Sequence, residues 1–278
     1  MTLDYHVHPD FSPDASGSVA DYCRRALELG IDELCFTTHW EPDPGRRGIE
    51  RVIVSGEPVP VNSDWISSYL SCIDEARREF TGLRVRAGVE VGFEPGYEAL
   101  IERELARHGF DFVLGAVHCI DHIAISAGRE LDRVGSELLA RGPGYLFSRY
   151  FENLEAAARS GLFQVLAHVD IYRKYVLPML DGDFDDVIRG PMQEAIGVIA
   201  GAGVGIEVNT SALRRGLPEP FPDAAVLAMA YRAGVRTYTV GSDAHRPDQL
   251  GTGIARAIAM LRALGAAPAR FAGRRLVS

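Results

Sequence analysis

Seven strand–helix repeats in succession predict an α/β barrel. Three observations carry this reading. Short apolar runs rich in β-branched residues alternate with longer amphipathic segments through the whole chain. The strands are apolar almost throughout, as in a parallel sheet covered on both faces. The length of 278 residues with 47% hydrophobic content also suits one large core, since barrels of this class run to about 250 residues. Length alone would accommodate two domains, but no linker, low-complexity tract or repeat other than the strand–helix unit divides residues 1–278.

The first strand is expected over 2–7, and a helix over 18–29 follows. There Val19, Tyr22, Cys23, Ala26, Leu27 and Leu29 recur at helical spacing, Ser18 caps and Gly30 ends. Strand 33–38 leads into residues 40–62, which are rich in Pro, Gly and charge and read as a long loop. Such a loop at the active face of a barrel shapes a substrate pocket. Helix 64–80, strand 84–91, helix 95–107 and strand 111–117 come next. Residues 119–142 hold a short hairpin from His122 to Ala127 and a polar helix. Helix 143–160, strand 163–168, helix 184–201, strand 204–209, helix 222–233, strand 236–241 and helix 248–264 complete the series. GAGVG at 201–205 precedes a strand rather than following one, so it is a helix-to-strand turn and not a dinucleotide fingerprint.

A net charge of −9 argues against a general nucleic-acid binder, whose phosphate contacts need a basic surface. Cys23, Cys35, Cys72 and Cys119 form no CxxC pair and read as free core thiols of a reducing compartment. MTLDYHVH lacks the charged-then-apolar pattern of a secretory signal, and no apolar stretch is long enough to cross a bilayer. The expectation is a cytoplasmic protein without a membrane or nucleic-acid partner.

Chemistry concentrates at strand ends. Six of the eight histidines lie there: His6 and His8 in DYHVHPD, His39 in FTTHW, His118 in GAVHC, His168 in LAHVD and His245 in GSDAH. Asp14, Glu90 and Asp243 accompany them. Imidazole and carboxylate together suit Zn, Mn or Fe. His6 and His8 lie two apart on a strand and so face one side, about 7 Å apart at Cα. Asp243 and His245 repeat that spacing. Glu90 interrupts an apolar strand, where an unpaired carboxylate is costly and coordination would remove the cost. Taken singly, Asp14 reads as ordinary turn chemistry, and His39, His118 and His168 read equally as satisfied core or loop histidines. Asp170 is placed to orient a ligand from behind. His108 reads as solvated at a helix end, and His122 as a substrate contact. No GxSxG elbow is present, so a serine triad fits poorly.

These motifs, in this order, resemble the PHP (polymerase and histidinol phosphatase) superfamily. Residues 150–175, 205–227 and 241–251 resemble the corresponding segments of PHP-type histidinol phosphatases in particular. The resemblance implies a distorted (β/α)7 TIM-like barrel with two to three divalent transition-metal ions. One ion would take His6, His8, Glu90 and Asp243. A second would share Glu90 and add His118 and His168, and a third would take Asp14, His39 and His245. One departure stands out: the family's TDH reads TTH here, with Thr38 in place of the Asp behind His39.

The activity implied is hydrolysis of a phosphate monoester by metal-activated water, in line, between ions roughly 3.5–4 Å apart. L-Histidinol phosphate, an intermediate of histidine biosynthesis, is the expected substrate. Asp243, Glu90 and His118 are the expected catalytic residues. Arg173 is the first choice for a phosphate clamp and Arg214 the second, since a guanidinium donates two parallel bonds to phosphate. Asn209 and His122 are further substrate-contact candidates. The other readings are a phosphoesterase acting on nucleotides or polyphosphate, an exonuclease, and a non-catalytic metal-stabilised barrel. The expected partner is a small phosphorylated substrate, and the expected assembly a monomer or homodimer.

Overall fold

The computed structural model describes residues 1–277. Seven parallel strands follow one another in sheet order exactly as in sequence: β1 (Leu3–Val7), β2 (Glu33–Phe36), β3 (Arg84–Gly92), β4 (Phe112–Ala116), β5 (Val165–Leu166), β6 (Gly205–Asn209) and β7 (Tyr238–Gly241). Each is followed by a helix: α1 (Val19–Glu28), α2 (Trp65–Glu79), α3 (Glu98–Arg107), α4 (Pro143–Arg159), α5 (Asp185–Ala202), α6 (Ala224–Ala233) and α7 (Ile254–Ala263). The expected (β/α)7 barrel is therefore present. Between β7 and β1 closure is partial. Val7 and Ala244 form a single parallel bridge, with His8 N–H donating to the Ala244 carbonyl and Asp243 N–H to that of His6.

Local sequence accounts for the element ends. Ser18 and Asp21 form a reciprocal capping box on α1. Asp223 caps α6 by accepting from Val226 N–H. Gly203 (φ 71°) terminates α5 in the left-handed conformation and lets the chain turn directly into β6. The strands are buried almost without exception, and one contiguous core runs from Leu3 to Phe271.

Three segments differ from expectation. Residues 40–62 contain an antiparallel hairpin, Arg51–Val54 with Glu57–Pro60, around a turn in which Ser55 (φ 53°) and Gly56 (φ 83°) are both left-handed. The hairpin of the 119–142 segment pairs Cys119–Ile120 with Ile123–Ala124, so His122 sits in its turn. At the C-terminus a hairpin, Arg270–Ala272 with Arg275–Val277, closes the amino-terminal end of the barrel. Phe271 packs there on Phe112 and Tyr5, and buried Glu33 accepts from Tyr5, Arg86 and Arg270.

One irregularity positions the site. After Phe36 the second strand breaks for two residues and resumes at His39–Trp40, which again pairs with β3. The register sets His39 directly beside Glu90.

Candidate metal centre

The strand ends bring all nine sequence candidates to one place. His6 Nε2 lies 3.4 Å from Glu90 Oε2 and 3.7 Å from Asp243 Oδ1. His8 Nε2 lies 3.6 Å and 3.3 Å from the same two atoms. Tetrahedral ligands about 2.1 Å from a zinc ion stand about 3.4 Å from one another, and these four separations are close to that value. On the other side of Glu90, Oε1 is 3.3 Å from His118 Nε2 and 3.0 Å from His168 Nε2, and the two imidazole nitrogens are 3.4 Å apart. Glu90 thus presents one oxygen to each group. A third group joins His245 Nε2 to His39 Nε2 at 3.4 Å, with Asp14 carboxylate oxygens 3.4 Å from His245 and 3.9 Å from His39. His39 faces inward as well, its Nδ1 being 2.7 Å from Glu90 Oε2.

The donor set fits divalent cations on a structural test. His6 Nε2, His8 Nε2, His39 Nδ1 and Glu90 Oε2 are buried atoms without a hydrogen bond. Unpaired buried polar atoms are costly, and coordination to cations held between these residues would remove that cost. Electrostatics agree. Burial pushes the Glu90 carboxyl up, yet His6, His118 and His39 outweigh it and hold Glu90 well below the usual carboxylate range. Asp243 is held low in the same way by His6 and His8. Burial, together with His39 and His245, pushes His8 well below the ordinary imidazole value, which leaves it neutral and ready to ligate. Burial would also lower His118, but Glu90 and Glu41 raise it to about 10. A cation competing for that lone pair displaces a proton.

The backbone is strained where the ligands sit. His168 (φ 29°) and Asp243 (φ 54°) both have positive φ, a conformation retained when surrounding structure over-determines it. Around Asp243 that structure is visible. Asp4, fully buried, accepts from Ser242 N–H and Gly251 N–H, and Arg214 donates to the carbonyls of Ser242 and Asp243.

This also corrects the sequence-derived clamp. Arg214 braces the backbone from behind Asp243, and Arg173 bonds Asp170 (2.9 Å) and the Pro220 carbonyl (2.8 Å) away from the cavity. Asp170 consequently holds Arg173 and Asp223 N–H, while His168 Nδ1 has no partner, so Asp170 does not orient that ligand. Asn209 is fully buried, bonds Glu207 and Asp243, and lies outside the cavity lining. His122 turns its ring to Asp43 (2.7 Å) and Glu94 and lies outside the cavity lining. Thr38 Oγ1 is buried without a partner and gives His39 no support; Ser12 Oγ accepts the His39 N–H instead.

Four important residues escape the sequence reading. Glu207 Oε1 lies 2.6 Å from His6 Nδ1, and Glu41 Oε1 lies 2.6 Å from His118 Nδ1. Lys174 and Arg215, the immediate neighbours of Arg173 and Arg214, line the cavity of about 320 Å³ over the centre. Glu207 shares with Glu90 the detectable signal of a carboxylate in an otherwise apolar strand. The other three follow from the phase of short turns, which periodicity does not register.

Fold and centre together define a barrel with a clustered histidine–carboxylate metal site. The chain belongs to the PHP domain family, whose model matches residues 4–211. It is 30% identical to a probable histidinol-phosphatase of Deinococcus radiodurans, an alignment covering 98% of this chain and 97% of that protein. Similarity to the histidinol-phosphatase of Lactococcus lactis is 24% over 87% of this chain and 84% of the other. The crystal structure of histidinol phosphate phosphatase from Lactococcus lactis, complexed with Zn, L-histidinol and phosphate, superposes with a TM-score of 0.79. It has 21% identity and covers 100% of this chain and 99% of that one.

Proposed function

We propose that this protein hydrolyses L-histidinol phosphate to L-histidinol and phosphate, using two to three divalent ions of the Zn, Mn or Fe type. The observation that carries the reaction class is the convergence of His6, His8, Asp14, His39, Glu90, His118, His168, Asp243 and His245 beneath a cavity that also exposes Lys174 and Arg215. The substrate rests on the full-length likeness to histidinol phosphatases.

Ions held there would make water a nucleophile at neutral pH and polarise the phosphoryl oxygens. The chain's own residues supply the rest. Glu90 joins the first two ligand groups through its two oxygens and fixes their separation. Arg215 Nη1 donates to the Tyr175 hydroxyl at 3.1 Å, and the Lys174 ammonium lies 5.1 Å from the same ring. Tyr175 so holds two cations on the cavity wall, where they take non-bridging phosphate oxygens and charge growing on them. Residues 40–62 contribute Glu41, Arg46, Glu50, Arg51 and Val61 to the cavity lining. Among the described residues no helix is long and apolar enough to cross a membrane. A small phosphorylated substrate is the partner proposed.

The test is turnover of L-histidinol phosphate by the purified protein. Phosphate release should require bound metal, stop with chelator and return with Zn or Mn. It should exceed release from a panel of nucleotides and sugar phosphates. Full activity after exhaustive chelation overturns the metal reading, and preference for another ester overturns the substrate.

A further inference from the structure

We infer that Glu207 is a positioning residue that locks the first and second metal-binding groups to one another; the inference rests on the metal-centre reading. Glu207 lies in β6, 1% exposed, on a strand that carries none of the nine candidate ligands. Its two oxygens are spent on different groups. Oε1 meets His6 Nδ1 at 2.6 Å, leaving His6 Nε2 to face Glu90 and Asp243. Oε2 accepts the backbone N–H of His168 at 3.2 Å and Asn209 Nδ2 at 3.1 Å. Asn209 Nδ2 in turn lies 3.3 Å from Asp243 Oδ2. One carboxylate therefore touches the side chain of a ligand in the first group and the strained backbone of a ligand in the second, and reaches a further first-group ligand through Asn209.

The surroundings are built around this contact. Gly241 in β7 leaves the space: a Cβ there would stand 2.3 Å from His6 Cβ and 2.4 Å from Glu207 Oε1. Among the described residues the charged side chain paired with Glu207 is His6; no Arg or Lys forms an ion pair with it. A buried carboxylate facing an imidazole fixes the tautomer that leaves Nε2 free to coordinate, and makes that nitrogen a stronger donor. His118 has a comparable partner in Glu41, but Glu41 reaches only the one ligand.

The experiment is zinc titration of the metal-free protein against a chromophoric chelator, with Glu207→Gln and Glu207→Asp beside the native chain. Unfolding of each metal-free protein is followed by circular dichroism. Loss of a carboxylate behind a histidine ligand costs about 10- to 100-fold in metal affinity. Glu207→Gln is expected to weaken the tightest zinc by that factor in a chain that still folds without metal. Glu207→Asp keeps the charge but is one methylene short of His6, and should fall between Gln and native. Native affinity in either folded variant overturns the inference. So does a lowered metal-free Tm with unchanged affinity, or failure of both variants to fold, each of which assigns Glu207 a packing role. Absence of zinc binding by the native chain sinks the metal-centre reading instead.

Discussion

At the scale of single residues, one position separates a cation on the cavity wall from one that braces the fold. Arg173 and Lys174 are consecutive, as are Arg214 and Arg215, and in each pair the second side chain faces the cavity. The first of each pair has an internal partner: buried Asp170 for Arg173, the Ser242 and Asp243 carbonyls for Arg214. The two roles fail differently. Arg215→Ala should raise KM for the phosphate ester, and weaken inhibition by inorganic phosphate, by about 10-fold, the worth of one charge-assisted bond of roughly 1.5 kcal/mol. Its Tm should hardly move. Arg173→Ala leaves Asp170 buried without its cation. Burial already pushes that carboxyl up to about 7, against the pull of Arg173. The expected loss is about 3 kcal/mol of stability, with KM near native in the protein that remains folded. Denaturant melts alongside steady-state kinetics check both; a reversed pattern would restore Arg173 as the clamp. Glu90 is legible in the sequence because a charged group in an apolar strand needs a reason. Which of two adjacent arginines points inward depends on the phase of a single turn, and a hydrophobic pattern carries no information about that.

At the scale of elements, the segment most obscure in sequence has the clearest dynamic consequence. Residues 40–62 read as a loop because Pro58, Pro60 and Glu57 dilute any strand pattern, yet Val52, Ile53 and Val54 before Ser55–Gly56 are the ingredients of a tight hairpin. The hairpin is held by Ile53 N–H on the Phe11 carbonyl and by buried Arg46, which bonds Glu50, Glu130 and the His122 carbonyl. His122 adds a titratable latch. Its ring bonds Asp43, with Glu94 and Asp121 as the other acidic groups facing it. The hydrogen bond to Asp43 comes first among the causes that raise its pKa above the ordinary imidazole value. For a histidine raised in this way, the stabilisation is complete below about pH 6.5 and is lost as pH rises through the folded value. Amides of residues 40–62 should therefore exchange faster at pH 8.5 than at pH 6, after correction for intrinsic rates. His122→Ala should exchange at the faster rate at both. Equal protection at the two pH values in the native chain would leave the latch without effect. The seven helices and every barrel strand but the two-residue β5 pose no such difficulty, since each is long enough for periodicity to show. The short pairings Cys119–Ile120 and Arg270–Ala272 are not, and they are fixed by tertiary contacts.

At the scale of the whole molecule, the barrel separates its stabilising end from its reactive end. Glu33, Tyr5 and Phe271 close one mouth with complete hydrogen bonding and aromatic packing. The other mouth gathers six histidines and three carboxylates, and leaves buried ligand atoms unpaired. Closure between β1 and β7 belongs to that second end. It consists of one bridge flanked by two backbone hydrogen bonds, and the strands that meet there carry the HxH and DxH pairs. A cation binding His6, His8 and Asp243 would therefore tie the weakest seam of the barrel as well as supply chemistry. The order of motifs along the chain made the cluster visible, but not the open seam, because hydrogen-bond register between the first and last strands is a property of closure. Metal should thus act as a stabilising ligand. An ion present at 100 times its Kd adds about 2.7 kcal/mol to the native state. In a chain of this length that raises Tm by about 5–10 °C. The metal-free protein should still unfold cooperatively, because the contiguous core from Leu3 to Phe271 does not depend on the centre. Calorimetry with excess Zn and with chelator measures the difference, and hydrogen exchange should locate the gain in β1 and β7. Coincident melts in the two conditions would show that the seam needs no cation; loss of the cooperative transition with chelator would show that the core does.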